Sequence, residues 1–367
     1  MKQGLASVAQ LMERLEDERA NRKDYVSDTR RMEFHTESDG DKKVSVLTMD
    51  GIANGYEVSE LAHRQIADKL KIPFRYYEKM RSEFPNLLDQ NVNAWLKDAP
   101  GLESNPEKRM VRTLYGKVRA FLSDRYRRLD NLELAMHILP VIANNESNKI
   151  ASLDITDTHM YLKVISEATK DEIVPGDVVK AGFVVSNSEV GCGCLRVEPL
   201  IYRLVCTNGM ILPDKAHRKY HTGRQVEETM EDYTLFREET LRQDDKAYFM
   251  KVQDIVRNAV DETAFALAVE RFRRMKGLNV AAAPIEAVEV LGDEYQFTKK
   301  EVEMVTNHFI LSQDMSQFGL VNAVTRTAND IEVYERATEF ERMGGQMLYN
   351  GLDSIIRKLD KGGIVAA

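Results

Sequence analysis

The chain has 367 residues, 43% of them hydrophobic, and its 51 lysines and arginines against 59 aspartates and glutamates leave a net charge of −8. That length favours two lobes or one elaborated domain, and the acidic total argues against a protein that coats nucleic acid with its whole surface. Three cysteines, Cys192, Cys194 and Cys206, are too few for a disulfide scaffold, and no apolar run approaches the roughly 18 to 20 residues of a membrane span. The expectation is a cytoplasmic protein with no membrane partner.

Leu5, Val8, Leu11, Met12 and Leu15 recur at helical spacing and predict an amphipathic N-terminal helix, unlike the continuous apolar core of a signal peptide. Glu13–Asp28 is dense in both charges and 37–43 (ESDGDKK) is polar, so residues 1–43 read as a helix on a polar arm. Ser59 is a good N-cap for a helix carrying Ala62, Ile66 and Leu70, which Ile72-Pro73 stops. Helices through Tyr76, Tyr77 and Met80 and through Leu87, Leu88, Val92, Trp95 and Leu96 follow.

The pattern changes at Lys108. Met110–Tyr115 and Val118–Leu122 are β-prone runs around Gly116-Lys117, and glycine at the first centre of a two-residue loop predicts a II′ hairpin. Leu132, Leu134, Ala135, Ile138 and Leu139 predict a helix, and strands are expected at 151–155, 160–166, 178–186 and 195–206. Asn208-Gly209 between apolar runs is the strongest short hairpin signal in the chain. Helical pattern then fills 230–276, 298–313 and 316–359, with 277–297 as a connector and Gly344-Gly345 as a helix end. The fold class is α+β: a central antiparallel sheet with packed helices, followed by a mostly helical C-terminal lobe. Its expected divisions are 1–43, an α+β core over 44–224, and 225–367.

Charge is the leading functional signal. Arg109, Arg112, Lys117, Arg119, Arg125, Arg127 and Arg128 stand against Asp124 alone, so 109–128 carries +6. A second block, 215–224 (KAHRKYHTGR), carries +4 with no acid and adds His217 and His221. The rest of the chain is correspondingly acidic, at −18. Strand alternation would line Arg112, Lys117 and Arg119 along one polar face beside Tyr115 and Tyr126. Lys215, Arg218, Lys219 and Tyr220 would then close over a strand, phosphates meeting the cations and bases stacking on the tyrosines. The competing reading of both blocks is a solvated surface balancing an acidic body.

Cys192, Cys194, Cys206, His217 and His221 offer soft metal ligands, but the C-x-C spacing is unspecific, small buried residues are the favoured role for the cysteines, and no metal or other cofactor is expected. No nucleophile elbow, phosphate-binding loop, H-E-x-x-H helix or dinucleotide fingerprint occurs, so no catalytic residue is assigned.

The sets 118–126 (VRAFLSDRY), 202–210 (YRLVCTNGM) and 322–325 (NAVT) resemble, in that order, the phage- and plasmid-borne family called domain of unknown function 932. The resemblance spans roughly 44–345 and implies a mobile-element protein of the cytoplasm of a bacterial host cell, without an established catalytic residue. In element order and basic hairpin the chain is also similar, more distantly, to single-strand annealing proteins of the Rad52 type, which form rings around a basic groove. Together these imply a homo-oligomeric protein that binds single-stranded DNA, with strand annealing in recombination or replication as its activity. Two other readings stay open: a hydrolase or transferase acting on nucleotides or nucleic acid, and an oligomeric interaction protein that inhibits a host factor.

Overall fold

The computed structural model describes residues 1–39, 42–97, 108–124, 126, 129–213, 238–280 and 284–352. Its architecture is α+β, with two sheets and helices concentrated toward the C-terminal end. The chain divides into two compact units that cut across the expected boundaries: Met12–Leu132 with Ser188–Gly193, and Met1–Leu11 with Glu133–Asn187 and Cys194–Ala367.

The smaller unit is built on a six-stranded sheet: β1 (Arg22–Asp28), β2 (Met32–Asp39), β3 (Lys42–Met49), β4 (Tyr56–Val58), β5 (Lys108–Leu114) and β6 (Lys117–Ser123). The spatial order is β1-β5-β6-β4-β3-β2, and all pairs are antiparallel except β4 with β6. Helix α1 (Val8–Asn21) runs straight into β1, so the expected polar arm supplies three strands. Alternation explains this. Met32, Phe34, Leu47 and Met49 are buried while Glu33 between them is exposed, the signature of strands with one solvated face.

Three helices cover the apolar face: α2 (Glu60–Lys69), α3 (Phe74–Glu83) and α4 (Pro85–Leu96). Ser59 caps α2 as its sequence implies, its hydroxyl accepting from the Ala62 N–H. Leu88, Val92 and Leu96 of α4 face inward, whereas Leu87 and Trp95 are exposed. Asn93 and Asp89 of α4 reach the outer edge of β2, with the Phe34 N–H donating to Asn93 Oδ1 (2.8 Å), Asn93 Nδ2 donating to the Phe34 carbonyl (2.6 Å) and the Thr36 N–H donating to Asp89 (2.9 Å). A helix thereby closes that sheet edge with side chains.

The larger unit holds a five-stranded antiparallel sheet: β7 (Asn148–Ile155), β8 (Met160–Glu172), β9 (Val178–Asn187), β10 (Arg196–Arg203) and β11 (Asn208–Ile211), preceded by α5 (Asn131–Ala143), which begins two residues before this unit does. Period-two alternation sends Val179, Ala181, Ile201 and Met210 to one face and Val184, Leu200 and Ile211 to the other, and both faces are buried. The remaining helices among the described residues are α6 (Glu238–Arg257), α7 (Glu262–Lys276), α8 (Pro284–Tyr295), α9 (Lys299–Ser312), α10 (Gln317–Thr327) and α11 (Tyr334–Asn350). Phe272, Phe309, Phe318 and Phe340 from them join the first of those faces, so the expected C-terminal lobe is part of the sheet's own core. Helix α8 occupies most of the expected connector, and among the described helices none is long and apolar enough to cross a membrane.

Two turn signals resolve differently from expectation. Asn208-Gly209 lies inside β11, and the chain reverses at 204–207 instead, because Asn208 is buried and donates to Thr325 Oγ1. Gly344-Gly345 lies inside α11 and does not end it. A Cβ on Gly345 would stand 1.9 Å from the Ile211 carbonyl oxygen and one on Gly344 2.2 Å from Thr325 Cγ2, so these glycines let α11 approach β11 and α10 closely.

Two outcomes follow from this packing. Gly345→Ala destabilises by about 1–3 kcal/mol in denaturant unfolding, against the usual helix-stabilising direction of that change, while Gly277→Ala, whose added Cβ meets only an ordinary 3.4 Å contact, leaves the midpoint nearly unchanged. His63 in α2 lies 2.7 Å from the Tyr77 hydroxyl, and burial, with Arg81 adding to it, lowers its pKa from 6.5 to about 3. The unfolded chain therefore binds a proton that the native state does not between about pH 6.5 and 3, and stability falls as pH drops through that window by up to about 1.4 kcal/mol per unit from this group. Unfolding of His63→Gln across the same window shows a shallower fall.

Candidate nucleic-acid interface

The basic hairpin forms, with Leu114 opposite Lys117. Its two-residue turn is Tyr115-Gly116, with φ of 49° and 77°, so both centres are left-handed and glycine takes the second position of a I′ turn. A bulge interrupts the ladder: Arg112 stands opposite Ala120 and Thr113 opposite Val118, leaving Arg119 as the extra residue on β6. Both faces of β5 are covered, so Met110, Val111, Arg112 and Thr113 are buried in succession. On the face away from α2–α4, Met110, Ala120 and Leu122 pack with Val190 of the 188–193 segment.

Arg112 lies on that covered face with a fully buried side chain (0% exposed). Its Nε donates to Asp24 Oδ1 (2.9 Å), Nη2 to Asp24 Oδ2 (3.2 Å) and Asp130 Oδ1 (2.8 Å), and Nη1 to the Glu189 carbonyl (2.7 Å). Burial works against its charge, but the bonds to Asp24 and the nearby Asp130 outweigh it and hold its pKa above the ordinary arginine value. A guanidinium so enclosed has no face to offer a phosphate, which corrects the expectation for Arg112.

Arg119 is drawn into the same network. Its Nη2 donates to Glu189 Oε2 (2.6 Å), while Glu189 Oε1 accepts from the Asn131 N–H and Arg22 Nη2 donates to Asp130. Three arginines (Arg22, Arg112, Arg119) are thus matched by three carboxylates (Asp24, Asp130, Glu189), a neutral cluster that fastens 188–193 to the hairpin. Tyr126 packs beside it, its hydroxyl donating to the Ser188 carbonyl (3.0 Å). Its ring is therefore a packing element, not an open stacking surface. The polar face drawn from simple alternation does not exist, because the bulge and the 188–193 cover were not visible in the strand pattern.

The hairpin tip is different. Tyr115 is 53% exposed and donates to Asp17 Oδ2 (2.5 Å), and Lys117, with a side chain also 53% exposed, pairs with Glu57 (2.8 Å). Arg109 is half-buried, and burial lowers its pKa while Asp124 opposes that shift. Arg125, Arg127 and Arg128, together with Lys215, His217, Arg218, Lys219, Tyr220 and His221, lie outside the described residues. Among the described residues no group of three or more His, Cys, Asp or Glu could hold a metal ion; Cys192 is exposed and Cys194 and Cys206 are half-buried.

Sequence reasoning missed a second buried ion pair, in the larger unit. Lys163 and Glu341 are both fully buried, with Nζ donating to Glu341 Oε2 (2.6 Å) and Thr338 Oγ1 (3.1 Å) over the Tyr334 ring. Burial lowers the Lys163 pKa and Glu341 opposes the shift. A signal was present: Lys163 is the one charged residue in the otherwise apolar run Met160–Ile165 of β8. The pair is enclosed, and its role is to cement α11 to the sheet.

Comparison of the chain with protein-family models and curated proteins, and of its fold with solved structures, finds no match. Removing the buried hub separates structural from surface cations. Arg112→Ala destabilises by about 3–5 kcal/mol in equilibrium unfolding by stranding Asp24 and Asp130, while Lys117→Ala at the exposed tip changes stability by no more than about 0.5 kcal/mol.

Proposed function

We propose that this is a mobile-element protein that binds single-stranded DNA, with strand annealing as the process it serves, and that the binding cations are those of 215–224 together with Arg125, Arg127 and Arg128. The observation that carries the reading is the run 215–224, four Lys/Arg and two His without an acid in a chain of net charge −8. Carboxylates inside the protein hold Arg112 and Arg119, so the hairpin contributes at most its tip, Tyr115 and Lys117. The mobile-element setting rests on the residue sets that resemble the family called domain of unknown function 932.

A single strand would lie along a track of separated positive charges, with counterion release supplying most of the affinity and Tyr220 giving a stacking platform. The acidic remainder of the chain would repel nucleic acid elsewhere and confine it to that track. No step in this reading needs a nucleotide or metal.

The test is a salt titration of a labelled single-stranded oligonucleotide, with duplex DNA and single-stranded RNA as parallel arms. Lys215→Ala/Arg218→Ala/Lys219→Ala reduces the slope of log affinity against log salt by about 2, and Tyr220→Ala costs about 1–3 kcal/mol of binding. Absence of binding at low salt, or a slope unmoved by the triple change, sinks the proposal. Preference for duplex or RNA replaces its ligand.

A further inference from the structure

Within the larger unit, the C-terminal ends of α5 and α6 and the start of β7 border a cavity of about 230 Å³, lined by Val141, Asn144, Asn145, Asn148, Val256 and Arg257. Contacts among these elements fix its walls. Gln253 Nε2 of α6 donates to the His137 carbonyl of α5 (3.0 Å), and the His137 and Phe249 rings stack with centroids 4.3 Å apart. The turn after α5 is held by Asn145, whose Oδ1 accepts from the Ser147 N–H (3.1 Å) and whose carbonyl accepts from the Asn148 N–H (2.8 Å).

The cavity carries an unmet hydrogen-bond demand. Asn148 Oδ1 is buried and, among the described residues, accepts no hydrogen bond. A buried acceptor without a donor costs stability, so a molecule that brings a donor to it is favoured. Asn144 and Asn145 are exposed, and Arg257 keeps Nη1 on Asp254 Oδ1 (2.7 Å) with 54% of its side chain exposed. The volume is several times the roughly 30 Å³ share of one water and lies below the roughly 300–1,000 Å³ of pockets for drug-sized ligands. It suits one ring system with a polar edge.

We infer that this cavity takes a single adenine base, free as adenosine or carried by a nucleic-acid strand. Asparagine reads adenine through two bonds, Oδ1 accepting from N6–H and Nδ2 donating to N7, and the first supplies the donor that Asn148 lacks. The major-groove edges of the other bases do not offer that pair: guanine presents two acceptors, thymine an acceptor and a methyl group, cytosine a donor alone. Val141 and Val256 give the ring apolar walls, and Arg257 a guanidinium plane on which it can stack. The strand as source rests on the single-stranded DNA binding proposed above; the free nucleoside does not.

The full-length protein is titrated calorimetrically with adenosine, with guanosine and cytidine as controls, and by fluorescence with labelled oligothymidylates that carry or lack one central adenine. Binding of adenosine in preference to the other nucleosides, or tighter binding of the adenine-bearing strand, is expected, and Asn148→Ala weakens it roughly five- to hundredfold. Because that change removes a buried acceptor without a partner, its thermal midpoint is expected to stay level or rise. Adenosine binding makes the free nucleoside a source, and a preference confined to the oligonucleotides assigns the strand. No preference for adenine in either arm, or a folded Asn148→Ala variant that binds adenine as tightly as the unmodified chain, overturns the inference. Should the variant fail to fold, the unmodified chain labelled with ¹⁵N-asparagine decides: adenine ligands that leave the Asn148 carboxamide resonance unmoved are equally contrary. Failure of the DNA reading looks different, since both oligonucleotides then stay unbound at low salt while adenosine still binds.

Discussion

A guanidinium removed from water must find acceptors for its donors inside the protein, or the cost of desolvating it exceeds what any single contact returns. Arg112 meets that demand with Asp24 of β1, Asp130 at the start of α5 and the carbonyl of Glu189, segments far apart in sequence that it draws to one point. Arg22 and Arg119 then neutralise what remains of Asp130 and Glu189. Much of the smaller unit hangs on this arrangement: the hairpin carries the hub, β1 supplies its first acid, and 188–193 returns from the larger unit's sequence to cover it. Charge that looks like a ligand site along the chain is here a fastening between segments.

The functional reading moves accordingly. Net charge first argues against nucleic acid, and resolving it along the chain points to two basic blocks. Resolving it in space divides the first block again, into a neutralised part inside the fold and an exposed tip. Other basic residues of the two blocks, Arg125, Arg127, Arg128 and those of 215–224, lie outside the described residues.

What was legible in the sequence was local. Ser59 announces its helix because a cap is a contact three residues long, and the structure adds at Thr298 a full capping box with Glu301. The β7–β10 strands follow from short β-prone runs between turn residues. Residues 22–49 were obscured because one face of their strands is solvated and rich in charge, so the polar half of the pattern dominates the composition. Gly116 was placed at the wrong turn position because Tyr115 takes a left-handed conformation that sequence rules assign to glycine or asparagine. Asn208-Gly209 and Gly344-Gly345 carry turn and end signals, but tertiary packing uses them: a buried carboxamide bond to Thr325 and a close helix–strand approach. The acids around Arg112 lie at positions 24, 130 and 189, and no window of sequence contains them together.

The smaller unit depends on Arg112 being energetically bound to its carboxylates rather than merely near them. A double-mutant cycle on the unfolding free energy of Arg112→Ala, Asp24→Asn and the combined variant measures this directly. A coupling of about 1–3 kcal/mol is expected for a buried pair that shares two hydrogen bonds. Additive effects, with coupling near zero, would contradict it and return Arg112 to the pool of cations available to a ligand.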